Sequence, residues 1–238
     1  MEESHEVREV RNSGCTLWHN VTVKTGPRAA RQAGVMKSVG SVFAPVLFTF
    51  EDGYAMPTGT TKLNYHDLRD ALVLLEDLWH TPNTAPSITL QQYHDYIGSI
   101  FAHPSLHTQA HRYLEMALSE DARPMEIRRV HGDATLENVI KIGDRVCWID
   151  PSERLVPTHA ELDIAKVLQS LLGYEKPMHG PQADVAWDWI YKHTRRGGRA
   201  SVPLVLYYYI THLIRLWPLQ YLKRDWALST IGNVESYL

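Results

Sequence analysis

His131-Gly132-Asp133-Ala134-Thr135-Leu136-Glu137-Asn138 runs into Val139-Ile140-Lys141-Ile142, then Gly143-Asp144, then Arg145-Val146-Cys147-Trp148-Ile149-Asp150. Val139 to Ile142 and Arg145 to Ile149 flank a two-residue loop of the kind that suits a primed turn, which predicts a tight hairpin. The two open ends of a hairpin lie side by side. Asn138, before the first strand, and Asp150, after the second, are therefore expected as neighbours, with Asp133 held on the loop ahead of them.

Upstream of this hairpin, to about Thr58, short strands alternate with turn signals: Val7 to Arg11, Cys15 to Trp18 and Val21 to Lys24. Pro27 opens a predicted helix over Arg28 to Ser38. Two further strands, Pro45 to Phe50 and Tyr54 to Met56, are joined by Glu51-Asp52-Gly53. From Tyr65 the apolar period lengthens, with Leu68, Ala71, Leu72, Leu75 and Leu78 on one helical face. Helices are predicted at about Leu90 to Phe101, His107 to Ser119, Ala160 to Leu172, Asp184 to Thr194, Val202 to Leu216 and Trp226 to Tyr237. The run Tyr207-Tyr208-Tyr209 lies in a helix so apolar that it reads as core.

Phosphoryl transfer asks for a carboxylate that orients the attacking hydroxyl and takes its proton, and for oxygen ligands to magnesium ions that neutralise a triphosphate. An aspartate, an asparagine and a second aspartate in this order meet that demand. A strand-borne lysine, Lys24 in Val21-Thr22-Val23-Lys24, would hold the phosphates.

With Asp133, Asn138 and Ile149-Asp150-Pro151 in this order, and glycine central in His131-Gly132-Asp133, the sequence resembles the aminoglycoside phosphotransferase and choline kinase group, the small-molecule branch of the protein-kinase-like superfamily. Glu161-Leu162-Asp163-Ile164-Ala165-Lys166 resembles that group's aspartate-bearing helix, and Leu213-Ile214-Arg215-Leu216 before Pro218 resembles a late helix of some members.

The resemblance implies an α+β, two-lobed fold: a small antiparallel-sheet nucleotide-binding lobe over 1–58 and a mainly helical lobe over 59–238. It implies Asp133 as catalytic base, Asn138 and Asp150 as magnesium ligands, and His131 and Asp163 as supports of the loop, the imidazole bonding backbone near Asp150. Lys24 would contact ATP or GTP, with Met56 and Thr58 at the inter-lobe crossing presenting backbone groups to the base. Gln32 stands where a glutamate would pair with Lys24, and it would hydrogen-bond the lysine without full charge assistance. As a departure, no G-x-G-x-x-G occurs near the N-terminus, where Asn12-Ser13-Gly14 is all there is, although the resembled group often uses a loop poor in glycine. Lys166 is assigned no role.

Composition bounds the partners. The chain has 238 residues, 44% hydrophobic and 21% charged, as in ordinary soluble domains. A net charge of -3 without long blocks of one sign disfavours a nucleic-acid polyanion. Cys15 and Cys147 lack metal-type spacing, and no apolar run reaches the roughly twenty residues that span a bilayer, so a soluble cytoplasmic protein in a reducing compartment is expected. The acceptor would be a small-molecule hydroxyl: a sugar, amino sugar, choline-like alcohol or surface-polysaccharide precursor. Its pocket would draw on Glu153, His159, Glu161 and the loop from Gly173 to Gly180. Two alternatives stand beside the kinase: a pseudokinase or binding module, favoured by Gln32 and the thin glycine loop, and a metal-dependent hydrolase using Asp133, Asp150 and histidines such as His159, disfavoured on the reading that none of the 13 histidines forms an H-x-x-x-H or H-E-x-x-H pair.

Overall fold

The computed structural model describes residues 8–10, 15–18, 20–82, 87–119, 127, 129–152, 156–173, 178–195, 197–219 and 224–238, the first two segments by backbone alone. The chain divides into two compact units, Met1–Thr81 with Leu136–Arg154, and Pro82–Thr135 with Leu155–Leu238. The sequence draws its boundary at residue 58. The structure instead groups the 139–148 hairpin and the following-on helix Tyr65–His80 with the strands, and their bonding explains why.

In the first unit β1 (Arg8–Val10), β2 (Cys15–Trp18), β3 (Val21–Thr25), β4 (Phe48–Phe50) and β5 (Gly53–Pro57) form an antiparallel sheet in the order β1-β2-β3-β5-β4. The strand predicted over 45–50 is confined to its last three residues. The central β3 and β5 pair with Lys24 opposite Tyr54 and Thr22 opposite Met56. Gly53 permits that approach, since a Cβ there would lie 2.3 Å from the Lys24 carbonyl oxygen. Helix α1 (Ala29–Ser38) packs on β5 and buries Ala29, Gln32, Ala33 and Met36.

A two-stranded hairpin is marginal by itself in water. Strands β6 (Val139–Ile142) and β7 (Arg145–Trp148) therefore depend on neighbours within the unit. Trp148 exchanges backbone bonds with Val42 and Ala44, both at 3.0 Å, and Lys141 exchanges two with Thr60 at 2.9 Å. Lys141 Nζ lies 2.7 Å from Asp67 Oδ1. Asp67 in turn closes a capping box with Asn64 at the start of α2 (Tyr65–His80), satisfying two of the orphan donors of that helix end. The Trp148 ring is fully buried and its Nε1 donates to the Ala71 carbonyl at 2.7 Å.

The second unit is helical: α3 (Leu90–Gly98), α4 (Pro104–Ser119), α5 (Ala160–Leu171), α6 (Pro181–Thr194), α7 (Val202–Leu216) and α8 (Arg224–Ile231). Helices α4 and α6 begin three residues before their predicted starts, each at a proline, which a first turn tolerates because its N–H has no helical partner. The helix predicted over Trp226 to Tyr237 breaks after Ile231, at Gly232, and resumes as a 3-10 turn over Val234–Tyr237. Helix α7 packs against α3, α4 and α5, and Tyr207, Tyr208 and Tyr209 are wholly buried, as the sequence expects. Among the described residues no helix is long and apolar enough to cross a membrane.

Because Trp148 fills the space under α2 and donates its indole N–H to a carbonyl there, Trp148→Ala should lower unfolding free energy by about 3–5 kcal/mol. Trp148→Phe, which keeps most of the volume, should cost far less. Urea unfolding followed by circular dichroism measures both, and equal losses would show that the indole N–H bond, and not the filled volume, anchors the hairpin.

Candidate active site

In the second unit the loop of 131–135 has no regular structure of its own, so its backbone needs partners. Asp163, fully buried in the first turn of α5, supplies them. Its Oδ2 accepts the His131 N–H at 2.9 Å and its Oδ1 accepts the Gly132 N–H at 2.8 Å. Gly132 has φ +75°, a left-handed conformation that favours glycine at this position of the motif. The Asp133 N–H donates to His131 Nδ1 at 3.3 Å, and the Thr135 N–H donates to the Asp133 carbonyl at 2.8 Å.

So held, Asp133 keeps 45% of its side chain exposed, and its Oδ1 lies 2.8 Å from Lys166 Nζ, whose side chain is only 9% exposed. Burial raises the Asp133 pKa. The opposing charge and hydrogen bond of Lys166, aided by the charges of His131 and Arg215, bring it below the ordinary carboxylate value. Lys166 also donates to Gln169 Oε1 at 3.2 Å. Sequence reasoning missed Lys166. The signal was its three-residue offset from Asp163, which places both on one face of the helix.

In the first unit Lys24 forms an ion pair with Asp150, and both side chains are largely covered. The register that sets Lys24 opposite Tyr54 also brings the Tyr54 hydroxyl to the same carboxylate, donating to Asp150 Oδ1 at 3.3 Å. Asp150 has φ +56° and is the only non-glycine among the described residues with positive φ. Aspartate tolerates this region better than most side chains, and such departures concentrate where a functional group must be aimed. The Ile149 N–H donates to the Asn138 carbonyl at 2.9 Å, so Asn138 and Asp150 flank the hairpin's open end.

Gln32 departs from expectation. Its Nε2 donates to the Pro151 carbonyl at 3.3 Å and no bond to Lys24 is formed by that amide. Lys24 already has a carboxylate, and a charge-assisted bond outcompetes a neutral amide. Gln32 thus braces the residue after Asp150. Thr58 is engaged as well: its N–H donates to the Asn20 carbonyl at 2.8 Å, and its hydroxyl lies 3.1 Å from that of Thr22. Met56 is buried opposite Thr22.

The residues considered for an acceptor pocket fare differently. Glu161 is fully buried and accepts the Ser201 N–H at 3.0 Å, which ties α5 to the start of α7. His159 Nδ1 lies 2.8 Å from the Tyr208 hydroxyl. Glu153 and the turn Asn12-Ser13-Gly14 lie outside the described residues. Contrary to the expectation that no H-x-x-x-H pair occurs, His103, His107 and His111 stand at four-residue intervals, yet each has a different partner. His103 rests on Trp217, His107 Nε2 lies 3.1 Å from the Ile100 carbonyl oxygen, and His111 pairs with Glu115. Among the described residues no group of three metal-capable side chains converges.

No family model matches the sequence, and no curated protein does. The structure is similar to solved ones. Choline kinase LicA from Streptococcus pneumoniae matches at a TM-score of 0.63 and 13% identity, over 100% of this chain and 94% of that one. A choline/ethanolamine kinase family protein from Mesorhizobium loti matches at 0.61 and 15%, over 94% and 84%. A thermostable mutant of aminoglycoside phosphotransferase APH(4)-Ia, in ternary complex with ADP and hygromycin B, matches at 0.62 and 14%, over 100% and 92%. The α+β fold is the one these small-molecule kinases share.

Lys166→Met should raise the Asp133 carboxyl pKa, since burial would then act with less opposition, and side-chain 13C NMR reads the shift directly. In the wild type the lowered value stabilises the fold above the ordinary carboxylate range, a contribution lost as pH falls through that value. The variant's stability should accordingly fall less on acidification.

Proposed function

We propose that this chain, a cytoplasmic enzyme with the fold of the small-molecule kinases, transfers the terminal phosphate of ATP or GTP to a hydroxyl of a small molecule. The observation that carries the reading is the loop clamped by Asp163, which presents a half-exposed, ionised Asp133 at the position where the motif expects a base. Asp133 orients the acceptor hydroxyl and takes its proton as the bond to phosphorus forms. Lys166 keeps that carboxylate ionised and fixes its direction. Lys24 supplies positive charge to the phosphates, and Met56 and Thr58 border the base.

Asn138 and Asp150 fit magnesium by their chemistry. One carboxylate and one amide oxygen are enough for an ion that keeps several waters and also binds phosphate. Bound there, it would neutralise triphosphate charge. Chain connectivity keeps Asn138 five residues from Asp133, the spacing that this chemistry uses. A sugar, amino sugar, choline-like alcohol or surface-polysaccharide precursor is the acceptor class.

A second reading, a nucleotide-binding module with little turnover, is favoured by Gln32 and by the engaged N–H of Thr58. The two readings separate in one set of measurements. ATP with magnesium at about a hundred times its dissociation constant should stabilise the protein by about 2.7 kcal/mol, seen as a thermal shift that Asp150→Ala removes. Asp133→Asn should retain that shift while phosphate transfer falls by roughly 10²–10⁴-fold. A shift without transfer to any acceptor supports the binding module, and no shift with ATP or GTP sinks the kinase.

A further inference from the structure

A cavity of about 440 Å³ opens in the helical unit between the end of α5, helix α6, helix α8 and the final 3-10 turn. Its volume falls within the range of small-molecule sites. The wall on α8 is built from Trp226, Ser229 and Thr230 at positions i, i+3 and i+4, with Asn233 just beyond the helix end, while Ala227 and Ile231 are the buried positions of that helix. Opposite stand Trp187 of α6 and Tyr237, and Leu171, Leu172 and Met178 add apolar surface.

The aromatic wall is ordered before any ligand arrives. The rings of Trp187 and Tyr237 lie 5.9 Å apart at 23°, and those of Trp187 and Tyr191 lie 5.6 Å apart at 24°. The Arg195 guanidinium sits 3.6 Å over the Tyr191 ring and extends the stack. Two aromatic neighbours, one of them backed by a cation, thus hold the Trp187 indole in place.

The polar groups define what this wall accepts. The hydroxyls of Ser229 and Thr230 donate to the Trp226 carbonyl at 2.9 and 2.7 Å, and the Asn233 amide nitrogen donates to the Ser229 carbonyl at 3.4 Å. With those hydrogens engaged inside the helix, Ser229 Oγ and Asn233 Oδ1 offer acceptor oxygens. Among the described residues the lining has no Asp, Glu, Lys or Arg, and it includes the imidazole of His179. An aliphatic occupant would leave the polar rim without partners. A pyranose ring matches both features, with C–H faces for the indole and phenol rings and hydroxyl donors for the oxygens.

We infer that this cavity is a binding site for a neutral saccharide ring. The inference does not rest on phosphate transfer. It is tested by isothermal titration and ligand-observed NMR on the full chain without nucleotide, using methyl glucoside, methyl galactoside and N-acetylglucosamine beside glucosamine and choline. Saturable binding of at least one neutral sugar is expected, preferred over the two cations. Asn233→Ala, at an exposed position, and Trp226→Leu should each weaken it by about tenfold or more. Asp133→Asn should leave it unchanged even though it removes the proposed base, so loss of transfer and loss of sugar binding are read separately. The inference fails if none of the neutral sugars saturates a site, if only glucosamine or choline does, or if binding survives Asn233→Ala and Trp226→Leu at full strength.

Discussion

A hairpin of four-residue strands cannot hold its own register in water, and the strand-rich unit is arranged around that constraint. Each edge of the hairpin borrows a partner: Val42 and Ala44 take the backbone of Trp148, and Thr60 takes that of Lys141. Side chains fasten the face. The Trp148 indole reaches into α2, and Lys141 reaches the capping aspartate of the same helix. Once the hairpin is fixed against the sheet, Asp150 has one place to be, beside Lys24 and under the Tyr54 hydroxyl. The position of the acid follows from packing of residues that do no chemistry.

The two aspartates proposed for chemistry share an electrostatic solution. A covered carboxylate is costly unless it is paired. Asp133 is answered by Lys166 and Asp150 by Lys24, each within its own unit. The consequence differs because the supports differ. Asp133 rests on a loop whose N–H groups are pinned by Asp163, so its direction comes from α5. Asp150 is aimed by its own left-handed backbone at the end of a strand.

Much of this was legible in the sequence where the cause was local. The Gly143-Asp144 turn, the leucine spacing of α2 and the apolar Tyr207-Tyr208-Tyr209 run declare their structure through propensity and period. The hairpin register follows from the turn, and with it the adjacency of Asn138 and Asp150. What sequence could not reach were choices between partners distant in the chain. Gln32 bonds the Pro151 carbonyl because Lys24 already has a carboxylate, and that competition is settled only in three dimensions. Glu161 looked like a pocket acid and is a buried tie to Ser201. The grouping of α2 and the hairpin with the strands likewise rests on bridges at Phe43 and Thr60, which no local pattern announces.

The Lys24–Asp150 pair has one further implication. In the proposed reading a single carboxylate both holds a lysine and receives a metal ion, so the two demands are thermodynamically linked. Any cation that takes Asp150 releases Lys24, and any anion that takes Lys24 frees Asp150. By reciprocity each raises the affinity for the other by the same factor. The pair thereby works as a latch that two ligands of opposite charge open together more readily than either opens it alone.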